Sequence, residues 1–239
     1  MRMPVSILIL TLGILLLLAC SSRGTDSPKP ASRQTIRYLA LGDSYTIGES
    51  VPENERWPVQ LIENIKTSPS FQATNVDIEL TLIARTGWTT DELWKGIEQT
   101  GVTPPYDLVS LLIGVNNQYR GRSLEEYREQ FRFLLGKAIE YAGNDPEKVF
   151  VVSIPDWGVT PFAAGRNSTQ IAAEIDAFNA LNRAEAEAAG VAYVDITPAS
   201  RAAASDRSLI AADGLHPSGK MYAGWVELIL PVALQAIEQ

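Results

Sequence analysis

The chain of 239 residues has one cysteine, Cys20, and one histidine, His216. A lone cysteine excludes an intrachain disulfide, and one residue of each kind excludes the zinc sites built from several such ligands. A carboxylate-only Mg²⁺ or Ca²⁺ site stays open, but no EF-hand or P-loop pattern occurs, so no metal and no cofactor is expected. Positive charge is also scarce: 20 Lys and Arg stand against 28 Asp and Glu, for a formal charge of −8. No basic cluster or stripe is present, and phosphate contacts need one, so nucleic acid is not an expected partner. Internal repeats and low-complexity blocks are absent.

Long apolar runs are missing too, except at the start. Ile7 to Ala19 gives thirteen apolar-type positions after Arg2, too few for the ~20 residues that span a bilayer. The pattern fits the core of a signal peptide. An uncleaved membrane helix, or an ordinary secretory signal with an incidental cysteine, is the alternative. The ending Leu17-Leu18-Ala19-Cys20 resembles the lipobox of bacterial lipoproteins. That resemblance implies cleavage after residue 19, lipid on Cys20, and a membrane partner reached through this anchor in the bacterial cell envelope. Ser21 follows the cysteine instead of Asp, which by the same resemblance implies the outer membrane if the organism is Gram-negative.

Residues 21–35, SSRGTDSPKPASRQT, lack any aliphatic or aromatic core former and read as a flexible tether. The expected organisation is therefore a signal over 1–19, Cys20 with its tether over 20–35, and one folded domain over 36–239.

Within that domain, apolar runs at 36–41, 76–84, 108–113, 149–154 and 191–196 predict five strands. Helical patterns fall between them, at 57–66, 89–99, 123–141, 168–189 and 217–237, the last interrupted by Pro231. Thr89 with Glu92 and Ser123 with Glu126 predict capping boxes at two helix starts. Nearly continuous apolar strands alternating with helices indicate a parallel sheet covered on both faces, a three-layer α/β/α sandwich. Ligands bind such sheets beyond the carboxyl ends of the strands.

The strand-end segments carry candidate chemistry. Gly42-Asp43-Ser44 follows the first strand, either as a turn that starts a helix or as a nucleophilic serine. A serine needs a base, and His216 is the available imidazole, with Asp213 three positions before it to orient the ring. A capping or surface histidine beside an ordinary Asp-Gly turn is the alternative. Pro217 is favoured at the first position of a helix, which would put His216 at a loop–helix junction. After the second strand, Gly87 in Arg85-Thr86-Gly87-Trp88 would let a backbone N–H approach a ligand. After the third, Asn116 and Asn117 offer side-chain amides. Together these groups would supply an oxyanion hole. Each segment also has a plain structural reading, but four successive strand ends favour one shared site.

These segments resemble the GDSL, or SGNH, hydrolase family, whose blocks they match in order from Gly42 to His216. The resemblance implies a five-stranded, flavodoxin-like α/β/α fold and a serine esterase or lipase that needs no cofactor. It implies Ser44 as nucleophile, Asp213 and His216 as its partners, and an oxyanion hole from Ser44, Gly87 and Asn116. Asn117 departs from the pattern, standing where the family's third block usually ends in Asp. The Gly-x-Ser-x-Gly elbow is absent, because Thr46 occupies the second glycine position. A small acyl ester, a lipid or an acylated glycan is the implied substrate. Trp157 and Phe162, in the long loop after the fourth strand, could wall an acyl pocket, and Trp88 could stack on a sugar. The opposing possibility is a catalytically silent envelope lipoprotein that binds glycan or lipid on this scaffold.

Overall fold

The computed structural model describes residues 34–72 and 76–238. The expected signal peptide, Cys20 and the expected tether up to residue 33 lie outside the described residues. Five strands form one wholly parallel sheet: β1 (Gln34–Gly42), β2 (Val76–Ala84), β3 (Leu108–Leu112), β4 (Val149–Val152) and β5 (Ala192–Val194). Their spatial order is β2-β1-β3-β4-β5, so the chain runs outward to one edge and then reverses across β1 to build the other side. Such a reversal opens a crevice at the carboxyl ends of β1 and β3, where ligands bind in folds of this type. β1 starts two residues ahead of the expected Ile36, because Gln34 and Thr35 pair with Val76 and Asp77.

Helices cover both faces. α1 (Ser44–Ile47), α2 (Trp57–Thr67) and α3 (Pro69–Gln72) follow β1, and α4 (Thr90–Thr100) follows β2. α5 (Val115–Tyr119) and α6 (Leu124–Tyr141) follow β3, and α7 (Ser168–Ala188) follows β4. α8 (Thr197–Arg201) and α9 (Gly219–Ile237) come after β5. α2 and α9 pack side by side on one face, while α4, α6 and α7 cover the other. β3 and β4 are buried at every position, as expected of central strands between two helical layers.

Local signals explain most boundaries. The Thr89–Glu92 capping box is present at α4. At α6 only half of the expected box forms: Ser123 accepts the Glu126 N–H, but the Glu126 carboxylate is held 2.6 Å from Arg122. α9 begins at Gly219, after the Ser218 cap, and not at Pro217. Pro217 instead pairs with Ile210 in an antiparallel bridge, flanked by hydrogen bonds from Ala211 N–H to His216 O and from Ser218 N–H to Leu209 O. Those bonds require extended backbone at 217. Pro231 does not interrupt α9. It sits on the exposed face, where solvent can serve the carbonyl it leaves unpaired, and buried Ile229 and Ala233 hold the helix to the sheet on either side.

Candidate active site

Ser44 is the first residue of α1, directly beyond the end of β1. The strand-to-helix turn is too tight for any side chain at Gly42, where a Cβ would lie 2.1 Å from Thr46 Oγ1 and 2.6 Å from Leu112 O. Asp43 caps α1 by accepting the Tyr45 N–H at 3.0 Å, and its own carboxylate is fully buried. Burial pushes the Asp43 carboxyl up to about 7, and the hydrogen bond from Tyr45 only partly opposes this. Asp43 therefore serves the turn and makes no bond to His216.

The imidazole comes from the loop between β5 and α9. Residues 209–211 and 216–218 pair back to back, and the tip between them carries Asp213 and Gly214. Asp213 Oδ1 accepts the N–H groups of Leu215 and His216 at 2.9 and 3.0 Å, which folds the carboxylate over its own loop. Its Oδ2 then lies 2.5 Å from His216 Nδ1. This is the one-turn proximity expected from the three-residue spacing. With Nδ1 occupied, Nε2 is the ring nitrogen left to exchange a proton. Partial burial raises the Asp213 carboxyl, but the bonds from His216, Leu215 and Ser50 outweigh it and hold the group well below the usual carboxylate range. Tyr45 meets the His216 ring edge-on, with centroids 5.6 Å apart.

Gly87 occupies the third position of a turn closed by Trp88 N–H to Arg85 O at 3.2 Å. Its φ of +86° is a conformation that other residues rarely adopt. Arg120 Nη2 donates to its carbonyl at 2.6 Å and fixes the peptide's orientation. Asn116, on α5, donates one amide hydrogen to Trp88 O at 2.9 Å, which leaves the second for a ligand. Its neighbour Asn117 is fully buried and points elsewhere. Its Oδ1 accepts the Thr90 N–H at 3.1 Å and its Nδ2 donates to Thr90 Oγ1 at 2.8 Å, joining α5 to the start of α4. Thr90 passes its own hydroxyl hydrogen to Gln130 Oε1. Asn in place of Asp thus supplies both an acceptor and a donor to Thr90, which a carboxylate could not.

Ser44, Gly87, Asn116 and His216 line one cavity of about 170 Å³. Trp157 and Phe162 line it too, as the loop position implied. Trp88 does not: its ring lies against Gly96 of α4, where an added Cβ would come within 2.1 Å of it. Several contributors have no counterpart in the sequence reading. Tyr119 lies three positions after the expected Asn116 on the same face of α5, a spacing by which it could have been found. Gln118 accepts the Trp157 indole N–H at 2.8 Å and sets that ring. Phe162 N–H donates to Gly214 O at 3.0 Å, tying the aromatic loop to the histidine loop. No local signal marks either contact.

Residues 40–223 match the model of the GDSL-like lipase/acylhydrolase family. No curated protein matches the chain by sequence. Among solved structures, a member of the lipolytic G-D-S-L family from Veillonella parvula aligns with a TM-score of 0.62 at 20% identity, covering 82% of this chain and 97% of that one. The lipase/acylhydrolase from Enterococcus faecalis aligns with a TM-score of 0.60 at 21% identity, covering 82% and 94%. The acetyl xylan esterase AlAXEase gives 0.63 at 16%, covering 82% and 98%.

Proposed function

The chain belongs to the GDSL-like lipase/acylhydrolase family, and from that premise we propose that it cleaves short-chain carboxylic esters through Ser44, His216 and Asp213. Ser44 Oγ attacks the ester carbonyl while His216 Nε2 takes its proton. Asp213 keeps the ring in the required tautomer and stabilises the imidazolium. The N–H groups of Ser44 and Gly87 and the Asn116 amide hold the developing oxyanion. His216 then protonates the leaving alcohol, and water releases the acyl-enzyme by the same steps in reverse.

The observation that supports this reading is the convergence of four separate strand ends on one small cavity, with the His216 ring already hydrogen-bonded to Asp213. A volume of about 170 Å³ corresponds to roughly five or six molecules of liquid water. That suits an acetyl to butyryl group better than a long acyl chain. Labelling with a fluorophosphonate probe tests the mechanism. Ser44 should be modified in the wild type and not in the His216→Ala protein, and Ser44→Ala should abolish hydrolysis of p-nitrophenyl acetate. Full activity in Ser44→Ala would remove the assignment.

The address belongs to the same proposal. Cys20, at the end of a short apolar segment, is read as the lipidated residue that holds the domain on the bacterial cell envelope. Cys20→Ser should move the protein from the membrane fraction to the soluble fraction and end incorporation of labelled fatty acid.

A further inference from the structure

The rim of the cavity carries a charge that the proposed hydrolysis does not use. Arg166 is exposed, and its guanidinium lies 5.1 Å from the Tyr119 ring centroid, 5.3 Å from Trp157 and 5.5 Å from Phe162. All three rings line the cavity. Nη2 also donates to the Tyr119 hydroxyl at 3.1 Å. Three aromatic contacts and one hydrogen bond locate the head group, yet most of its five N–H donors remain free.

Arg120, Arg122, Arg128, Arg132, Arg183 and Arg201 each pair with a carboxylate. Arg37, Arg56, Arg85, Arg166 and Arg207 do not, and among the described residues Arg166 is the one of these five that lies over rings of the cavity. In a chain of net charge −8, an unpaired guanidinium held at a site entrance is positioned to receive an anion from outside.

Geometry specifies the anion further. With a short acyl group in the cavity, the alcohol portion of the ester lies toward the rim, beside exposed Tyr119 and Phe162. Aromatic faces beside a planar guanidinium suit a flat-stacking ring that bears a carboxylate, which the guanidinium can grip with two parallel N–H bonds. We infer that Tyr119, Phe162 and Arg166 form a subsite for an acidic sugar, so that the substrate is a short-chain acyl ester of a uronate-type residue. This rests on the esterase reading given above.

The test compares acetylated methyl glucuronide with acetylated methyl glucoside, which differ only in carrying a carboxylate or a hydroxymethyl group. Acetate release is measured for the wild type, Arg166→Gln and Arg166→Lys at low and high salt, with folding checked by circular dichroism. The wild type should favour the glucuronide by about tenfold or more in kcat/KM, chiefly through KM. Arg166→Gln should bring that ratio close to one, Arg166→Lys should restore part of it, and salt should reduce it in the wild type. Equal turnover of both sugars, or a preference that survives Arg166→Gln, overturns the subsite. Stronger preference for an acetylated glucoside 6-phosphate overturns the carboxylate assignment. Hydrolysis of p-nitrophenyl acetate with no action on either sugar rejects the subsite while the esterase reading stands. If Ser44→Ala keeps full activity on p-nitrophenyl acetate, the esterase reading itself fails.

Discussion

The hydroxyl of Ser50 donates to Asp213 Oδ2 at 2.8 Å, across 163 positions of sequence. Ser50 follows the helix that carries Ser44, and its φ of +66° is left-handed, unusual for a serine. The neighbouring Glu49 accepts a hydrogen bond from Thr86 in the turn before Gly87. One short loop thus touches both the acid of the proposed triad and the turn of the proposed oxyanion hole. Ser50→Ala should lower kcat roughly threefold to tenfold with little change in KM, the worth of one partly solvated hydrogen bond to a carboxylate. Ser50→Gly loses the hydroxyl without the left-handed penalty, so it should match the alanine variant in kcat while unfolding at a higher temperature. Equal kcat in all three proteins would assign Ser50 no part in positioning Asp213.

Asn116 and Asn117 are adjacent, yet their substitutions should fail in different ways. Asn116→Ala should cut kcat by about 10² to 10³ and leave the melting temperature near that of the wild type. Asn117→Ala should instead destabilise the fold by about 1–3 kcal/mol, because the buried Thr90 N–H and hydroxyl oxygen both lose their hydrogen bonds to Asn117. Thermal melts and steady-state kinetics on the pair would show the separation, and matching defects would refute it.

Two glycines make a second contrast. A Cβ on Gly87 meets nothing closer than Arg120 Nη2 at 3.8 Å, so Gly87→Ala should cost only about 1–2 kcal/mol for its positive φ. Activity should suffer much more than stability, since the peptide would rotate. At Gly114, with φ of +128°, a Cβ would fall 2.3 Å from Tyr127 Oη. Gly114→Ala should therefore lose roughly 2–5 kcal/mol from strain and overpacking together. Denaturant titration of both variants measures the difference.

Asp43 should leave a signature in the pH dependence of stability. Its carboxyl is raised by burial to about 7 in the folded protein, against about 4 in an unfolded chain. Between those values the folded state holds a proton that the unfolded state releases. Its contribution is full below about pH 4 and is lost as pH rises through about 7. Asp213 runs the other way: its folded carboxyl is depressed, so its contribution is present above the ordinary carboxylate range and is lost as pH falls below it. In Asp43→Asn the carbonyl can still accept the Tyr45 N–H but does not titrate. The stability of the wild type relative to this variant should fall steadily from pH 4 to pH 7. A difference constant across that range would contradict the buried ionisation.

Much was legible in the chain. Periodicity placed the five strands and the main helices because a sheet covered on both faces demands continuous apolar runs, as in β3 and β4. Gly42, Gly87 and Gly114 were visible as glycines, but the reasons for them, a Thr46 hydroxyl, a left-handed turn and the Tyr127 ring, were not. The Glu126 half of the capping box at α6 and the start of α9 depart from local preference where a competing partner, Arg122 or the Ile210–Pro217 bridge, takes precedence.

By itself, then, the sequence determined the order of elements and the chemical groups at each strand end, since these follow from local patterning and residue type. Only the tertiary structure decided which groups share the cavity. It brought Ser50 to Asp213, Gln118 to Trp157 and Arg166 to three rings, and it placed Trp88 on Gly96 instead. Contacts between distant segments depend on the reversal of strand order and on loop paths, and no local pattern encodes those.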